Sequence, residues 1–126
     1  MNYRTLGRTG LKVSEIGMGC EGLVGKSYDQ VKEFVDQMEE LEVNCIDLYT
    51  SNPEVRSNLG RAMEGRRDKF VLQSHLCSVW KKGQYLRTRD INKVKAGFEE
   101  MLRLLNTGHI EIGMIHYSDA LSDWQE

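Results

Sequence analysis

Paired cysteines and long apolar runs are both missing from this sequence. Its three cysteines, Cys20, Cys45 and Cys77, are an odd number and form no C-x-x-C pair. This favours free thiols in a reducing compartment over a disulfide framework. No apolar stretch approaches the roughly 20 residues that a membrane span needs, and the first residues lack the apolar core of a secretory signal. We therefore expect a cytoplasmic chain with no membrane partner.

A charge excess of either sign is absent as well. The 17 basic and 19 acidic residues leave a net charge of −2, which provides no electrostatic basis for binding nucleic acid or an anionic membrane. The sequence has a single proline and no repeat or low-complexity segment, so we expect no flexible linker. At 126 residues the chain is one domain or part of one.

What the sequence does contain is a regular alternation of strand and helix signals. Short β-type runs flank a glycine turn at Gly7–Gly10, which predicts an N-terminal hairpin. A polar loop with Trp80 and Gly83 is expected after the third strand, and a last helix begins at Asp119–Glu126. The elements between them follow from apolar periodicity and are, in order, EIGMGC, the helix YDQVKEFVDQMEEL, VNCID, the helix Pro53–Met63, KFVLQSH, the helix INKVKAGFEEMLRLL behind Asp90 as N-cap, and HIEIGMIHY.

Alternation of this kind predicts a parallel sheet with helices packed outside it. Two architectures fit the pattern, a doubly wound sheet and a (β/α)8 barrel. The glycine-rich stretch GMGCEGLVG after the first strand does not have the G-x-G-x-x-G spacing, so the dinucleotide-binding fingerprint is weak at this turn.

Polar side chains stand where the apolar strands end. Such a position at the carboxyl ends of parallel strands is typical of active sites in α/β folds. Taken alone, Asp47 is equally well read as an ordinary loop carboxylate, and a histidine after a strand is commonly a boundary residue. The agreement of four strand ends favours a functional site, whose members are Cys20 and Glu21, Asp47, His75 and His116.

The same strand ends raise the question of a metal. Cysteine and histidine are ligands of zinc or iron, but the spacing of Cys20, His75, Cys77 and His116 matches no known ligand pattern, and we expect no metal ion here. Cys45 has the side-chain parity of Asp47 and is expected to be a small core residue on the inner side of the sheet.

Several segments together carry a resemblance to a known family. The opening YRTLGRTGLKVSEIGMGC, the strand VNCID, the helical motif LGRAM and the strand IEIGMIH resemble the corresponding segments of the aldo-keto reductases. The resemblance extends over the whole chain and is most specific in the first twenty residues. It implies the N-terminal half of a (β/α)8 barrel with a leading β-hairpin, residues 1–126, with the rest of the barrel absent from the sequence.

The family's chemistry sets further expectations. Its members use NADP or NAD, and the resemblance implies that Gly19, Cys20 and Asp47 contact this cofactor. Hydride is delivered to a carbonyl carbon while a tyrosine protonates the oxygen. In the family's catalytic tetrad a lysine and an aspartate tune that tyrosine, and a histidine orients the carbonyl.

Only half of that tetrad is present here. Asp47 matches the aspartate and His116 the histidine. Counting back from Gly60 along the family pattern Y-G-x-S-E-x-x-L-G places Asn52 at the tyrosine's position. The family's Thr-Lys at the end of the third strand is here Ser74-His75, and His75 with His116 could supply a proton near neutral pH.

Two interpretations of Asn52 stay open. In the first it caps the second helix, with Pro53 in the first turn, where a missing N–H costs nothing. In the second its amide also donates to a substrate oxygen, which would polarise a carbonyl but could not deliver a proton. Tyr49 has the parity of Asp47 and is expected to pack in the core or at the rim.

The sequence thus predicts a reductase of small-molecule carbonyl compounds, with the 126-residue chain itself weakly active or inactive because most cofactor contacts in the family come from the second half. One divergent branch of the family carries an iron–sulfur segment after the barrel, and we expect this sequence to belong there. The alternatives are a non-catalytic barrel that binds a nucleotide or a partner, and a half-barrel that self-associates through its open sheet edges.

Overall fold

The structure, a computed structural model, describes residues 1–115 of the chain. Three α-helices are present in this range, and each begins with a side-chain cap or a capping box. Ser27 accepts from the Gln30 N–H at the first helix, while the Gln30 side chain accepts from the Ser27 N–H; such a box satisfies two otherwise unpaired donors. The helices are α1 (Tyr28–Glu40), α2 (Pro53–Ala62) and α3 (Ile91–Leu104), as the apolar periodicity predicts.

Eight strands form three separate sheets in the described range. The strands are β1 (Tyr3–Thr5), β2 (Lys12–Ser14), β3 (Gly17–Gly19), β4 (Cys45–Leu48), β5 (Val71–His75), β6 (Ser78–Lys81), β7 (Gln84–Arg87) and β8 (Ile112–Met114). The strands β1 and β2 pair as the predicted N-terminal hairpin, and β6 pairs with β7. The third sheet is parallel and has the order β3-β4-β5-β8, which is the order along the chain. A sheet that grows in one direction only is half of a (β/α)8 barrel, whereas a doubly wound sheet reverses direction at a switch point.

The core lies between one face of this sheet and the three helices. Side chains alternate between the two faces of a strand, so Ile46 and Leu48 on β4 point towards the helices together with Leu72 on β5. All three are fully buried. Cys45 and Asp47 point to the opposite face and are only partly buried. The sheet therefore has one helix-covered face and one inner face that carries the polar residues.

The amino-terminal end of the sheet is held by hydrogen bonds to the β1–β2 hairpin. Ser14 donates its N–H to the Asn44 side chain at 2.8 Å, and its hydroxyl accepts from the Asn44 N–H at 3.1 Å. The Tyr3 hydroxyl donates to the Glu42 carbonyl at 2.7 Å. These bonds attach the hairpin immediately before β4, at the end of the barrel opposite the strand ends that carry the polar residues.

A partly buried ion pair joins the segments that precede β5 and β8. Arg67 donates to both carboxylate oxygens of Glu111 at 3.0 Å and to the carbonyls of Phe70 and His109. Glu111 in turn accepts from the Leu72 N–H at 2.7 Å. A paired and fully hydrogen-bonded charge of this kind is costly to break on one side only, so the pair sets where β8 joins the sheet.

Two predictions from the sequence need correction or lie beyond the described range. The polar loop expected around Trp80 and Gly83 is in fact the antiparallel hairpin β6–β7. Its two turn residues, Lys82 and Gly83, have φ of 52° and 74°, as a two-residue turn between twisted strands requires. The helix expected at Asp119–Glu126 lies outside the described residues.

A search of residues 1–115 for a helix of membrane-spanning length and hydropathy finds none.

A glycine of α2 packs directly against the backbone that follows α3. A Cβ added to Gly60 would lie 2.6 Å from the carbonyl carbon and oxygen of Leu105, much closer than such atoms can approach. The glycine of the LGRAM motif is therefore required by packing, since the backbone that follows α3 occupies the space of a side chain.

Replacing Gly60 with alanine should destabilise the chain, although alanine is the better helix former by about 1 kcal/mol. The new methyl group must push against the Leu105 backbone, and overpacking of this kind costs roughly 1–3 kcal/mol. Urea denaturation measures the change. Gly22→Ala is the control, because a Cβ at Gly22 meets nothing within 4 Å, and it should stay within about 0.5 kcal/mol of wild type. Equal stabilities for the two variants would contradict the packing argument.

Candidate active site

The register of β4 and β5 brings two polar residues to the same place on the inner face. Asp47 is directly opposite Gln73, and His75 lies two residues further along β5, on the same face. Both residues are at the carboxyl ends of their strands. The sequence-based expectation that they meet is thus fulfilled, while His116, the third member, lies outside the described residues.

Asp47 and His75 are in hydrogen-bond contact. His75 Nε2 is 3.0 Å from Asp47 Oδ1, and the side chains are 8% and 42% exposed, respectively. The buried imidazole is thus attached to a carboxylate that still reaches solvent. A carboxylate that accepts from one imidazole nitrogen fixes the tautomer and orientation of the ring. In the family comparison His75 occupies the lysine's position, and it makes a pairing with Asp47 that an ammonium group could also make.

Two tyrosine rings continue this cluster. The Tyr49 ring meets His75 edge-on, with ring centroids 4.9 Å apart. Its face stacks on Tyr85, with centroids 5.1 Å apart and an interplanar angle of 21°. The Tyr85 hydroxyl is buried and has no hydrogen-bond partner among residues 1–115. Burial and the adjoining Tyr49 phenol raise the pKa of Tyr85 to about 12.

The side chain of Asn52, at the position of the family's tyrosine, is hydrogen-bonded to the backbone at the start of α2. Its side-chain oxygen accepts from the N–H groups of Glu54 at 2.9 Å and Val55 at 3.2 Å, and Pro53 occupies the first helical position. This is the capping interpretation of Asn52. An oxygen that already accepts two bonds orders the helix start, and the amide has no proton to transfer in any case.

Gly19 and Cys20, the two other residues that the resemblance assigns to the cofactor, differ in solvent exposure. Gly19 is exposed on β3 opposite Asp47, whereas Cys20 is 0% exposed and packs in the core. Burial, with a smaller contribution from Asp47, raises the pKa of the Cys20 thiol to about 12. Its backbone N–H donates to the Asp47 carbonyl at 3.1 Å, so Cys20 holds the strand end in place and its thiol stays away from the inner face.

Of the four residues weighed as metal ligands, Cys20, His75 and Cys77 lie within the described residues and His116 lies outside them. Within residues 1–115 no three histidine, cysteine or acidic side chains come together in an arrangement that could hold a metal ion. Cys77 is buried, like Cys20, and Ser74 beside His75 is turned towards the helices, where its hydroxyl contacts the Met101 sulfur at 2.8 Å.

Sequence reasoning missed the contribution of the β6–β7 hairpin. The expected loop carried no assigned function, and Tyr49 was expected only to pack. The signal that could have found the hairpin is the Lys82-Gly83 pair between SVWK and QYLR, two short runs with strand-forming residues. The tyrosine contact itself could not have been found, because it depends on how the hairpin folds back over β4.

Two curated proteins of Bacillus subtilis are similar to this chain. The uncharacterized oxidoreductase YqkF is 29% identical over 123 residues, which cover 92% of this chain and 39% of that protein. The aldo-keto reductase YhdN is 24% identical over 139 residues, which cover 100% of this chain and 41% of that protein. The chain thus spans about two-fifths of the length of the curated relatives it matches. No protein-family model matches the sequence.

Solved structures give the same result for the fold. The holo form of the aldo-keto reductase AKR11C1 from Bacillus halodurans superposes with a TM-score of 0.84 at 26% identity, covering 98% of this chain and 43% of that chain. An aldo-keto reductase from Klebsiella pneumoniae in complex with NADPH superposes with a TM-score of 0.66 at 19% identity, covering 89% and 38%. The predicted fold, the N-terminal half of a (β/α)8 barrel, and the resemblance stated from the sequence are both confirmed.

Replacing Asn52 with alanine should lower the free energy of unfolding by about 1 kcal/mol, because two N–H groups at the start of α2 lose their acceptor. Thermal or urea denaturation measures this change. Asn52→Asp is the matched control, since it keeps the acceptor oxygen and places a negative charge at a helix N-terminus. A loss in Asn52→Asp as large as that in the alanine variant would mean that the cap is not what Asn52 contributes.

Proposed function

We propose that this chain, which is similar in sequence and fold to the N-terminal half of the aldo-keto reductases, supplies half of the active site of an NAD(P)H-dependent reductase of small-molecule carbonyl compounds. The observation that carries the proposal is the contact between Asp47 and His75 on the inner face of the sheet, 3.0 Å between Nε2 and Oδ1. Parallel-strand carboxyl ends are where barrel enzymes place their chemistry.

The residues present fit one end of a nicotinamide cofactor, which when bound would supply the hydride. A Cβ built on Gly19 meets nothing within 4 Å, so the strand surface beside Asp47 is open to a flat ring or a ribose. The 42% exposed Asp47 carboxylate can accept a hydrogen bond from a ribose hydroxyl. Gly19 and Asp47 would therefore hold the nicotinamide end, and Cys20 would contribute through its backbone alone.

The chemistry of the site's own residues follows from the contact between Asp47 and His75. Asp47 holds the His75 ring in one orientation, and an imidazole held in this way can donate a hydrogen bond to a carbonyl oxygen. His116, at the position of the family's histidine, is proposed to orient the same oxygen. Asn52 stays a helix cap, and its proposed contact with substrate is the weaker of the two interpretations.

A second candidate function has an observation in its favour. The position of the family's acid is held by Asn52, whose oxygen is occupied by the helix cap. A barrel that lost its acid could keep the nucleotide site and serve as a non-catalytic binding module. The two functions differ in one respect, since the module binds nucleotide or a partner protein without turnover.

The other expectations from the sequence stay proposals. We place the protein in the cytoplasm, without nucleic-acid or membrane partners, and an iron–sulfur cluster, if the divergent branch is the right one, would be held by residues that follow this chain. The choice between NADPH and NADH also stays open. The relative in complex with NADPH makes NADPH the first cofactor to test.

Asp47→Asn should lower reduction of a simple aldehyde by roughly 10²-fold or more, because the His75 ring loses the carboxylate that orients it. The assay follows NADPH oxidation by the protein expressed from its whole gene, with the 126-residue chain in parallel, which we expect to be weakly active or inactive. Asp29→Asn, at an exposed residue of α1, is the matched control. Binding of NADP⁺ without turnover in the wild type would favour the binding module instead.

We also expect the 126-residue chain to self-associate. Among the described residues, β3 and β8 each pair on one side only, and Met114 and Ile115 are 40% and 59% exposed. An unpaired strand edge next to apolar side chains is a template for pairing with another chain. Light scattering, with intact mass measured on the same sample, should give the mass of a dimer or larger species. A monomer at all concentrations would refute this.

A further inference from the structure

The proposed reaction needs a proton donor that the family's tyrosine position no longer provides. Asn52 at that position caps α2 with its side-chain oxygen, and an amide cannot transfer a proton. Protonation of the developing alkoxide is worth roughly 10²–10⁴-fold in rate, so an effective reductase requires another acid close to Asp47 and His75.

The structure contains a phenol at the required place. Tyr49 follows Asp47 by two residues and is on the same inner face, and its ring touches His75 edge-on with centroids 4.9 Å apart. It is partly buried and stands at the carboxyl end of the sheet, three residues before the position where the family has its tyrosine. A phenol here can approach a carbonyl that is held against the Asp47–His75 pair.

A second phenol lies against the first. Tyr85, on β7 of the hairpin, stacks on Tyr49 with an interplanar angle of 21°, so the two rings run nearly parallel. The Tyr85 oxygen is buried and has no hydrogen-bond partner among residues 1–115. A buried hydroxyl without a partner costs about 1–3 kcal/mol, and such a cost at the edge of an active site points to a partner that appears during function.

We propose that Tyr49 donates the proton in the carbonyl reduction, and that the Tyr85 hydroxyl donates a hydrogen bond to the Tyr49 oxygen once the proton has left. This inference rests on the proposed function and adds to it a catalytic acid, Tyr49, and a positioning residue, Tyr85. The hairpin that the sequence does not predict is then a part of the active site.

The reaction balances with these groups. The carbonyl carbon gains a hydride from the reduced nicotinamide, and the carbonyl oxygen gains the Tyr49 hydroxyl proton, which yields an alcohol. Tyr49 is left as a phenolate, accepts the Tyr85 O–H bond, and recovers a proton from water. The transfer is downhill, because an alkoxide is a much stronger base than a phenolate.

The charge environment of Tyr85 is consistent with this division of roles. Its pKa is raised to about 12, first by burial and then by the adjoining Tyr49 phenol, while Arg87 lowers it and Cys77 raises it. A hydroxyl with a raised pKa holds its proton more firmly, as a donor to a phenolate must.

The coupling of the two phenols can be measured without turnover. The protein is produced with 3-fluorotyrosine, whose phenol is more acidic than that of tyrosine, and the five tyrosines are assigned in the 19F NMR spectrum from single Phe variants. In Tyr85→Phe the titration midpoint of Tyr49 should rise by roughly one pH unit or more. In Tyr49→Phe the midpoint of Tyr85 should fall, because the contribution that raises it is gone.

Tyr28→Phe is the matched control for these titrations. The Tyr28 ring lies under Arg61, with the guanidinium carbon 3.8 Å from the ring centroid, on the helix-covered side of the sheet. Neither Tyr49 nor Tyr85 should change its midpoint in this variant. A Tyr49 midpoint that is the same with and without the Tyr85 hydroxyl would overturn the role of Tyr85.

Kinetics test the donor role directly, with two substrates that differ in their need for an acid. An aldehyde yields a strongly basic alkoxide, whereas a quinone yields a much less basic anion that needs little protonation. Tyr49→Phe, in the protein expressed from its whole gene, should lose roughly 10²–10⁴-fold in aldehyde reduction and clearly less in quinone reduction. Tyr28→Phe should lose neither.

The possible outcomes separate the two proposals. If the wild type reduces neither substrate, the proposed function is wrong, and so is the role of Tyr49 as proton donor. If the wild type reduces the aldehyde and Tyr49→Phe does so at the same rate, only this inference is wrong. Equal losses for both substrates would mean that Tyr49 shapes the site without donating a proton, which also overturns the inference.

Discussion

The pairing of β4 with β5 is the constraint on which the rest of the site depends. In the observed register Ile46 is opposite Leu72 and Asp47 is opposite Gln73, which sends the aliphatic side chains to the helices and the polar ones to the inner face. A shift of one residue would exchange the faces of every side chain in the shifted strand. Leu72 and the helix-facing side of β5 would then lose their contacts with α2 and α3, and His75 would be buried among aliphatic groups, away from Asp47.

The stabilising contacts and the proposed active site are located at opposite ends of the same sheet. The amino ends of the strands carry the contacts that hold the sheet together, including the Ser14–Asn44 hydrogen bonds and the Arg67–Glu111 pair, in which both side chains are 14% exposed. The carboxyl ends carry the Asp47–His75 pair and the tyrosines. Such a division allows residues at one end to be chosen for reactivity while the other end keeps the fold, which is the general arrangement in barrel enzymes.

Asn52 has a structural role, as the cap of α2, at the position where the aldo-keto reductases have their catalytic tyrosine. A helix that begins close to the active site has unpaired N–H groups there, and Asn52 satisfies two of them. A tyrosine at this position would leave those groups to water but would provide an acid. The stack of Tyr85 on Tyr49 and the edge-on contact of Tyr49 with His75 bring two phenols to the same region, one from a neighbouring strand end and one from the hairpin. The proposed acid and the helix cap are therefore different residues.

The sequence by itself determined the order of the elements, except for the β6–β7 hairpin, and the parallel sheet, because apolar periodicity, caps such as Asp90 and the turn at Gly7–Gly10 are local signals. It also indicated Asp47 and His75, since each one follows an apolar run, and the cap at Asn52, since Asn-Pro at a helix start has a local explanation. Only the tertiary structure decided three other features. These are the requirement for glycine at position 60, the burial of Cys20 in the core between sheet and helices, and the stack of Tyr85 on Tyr49. In each of these cases the contact joins residues far apart in the chain, and its geometry follows from how whole elements pack together.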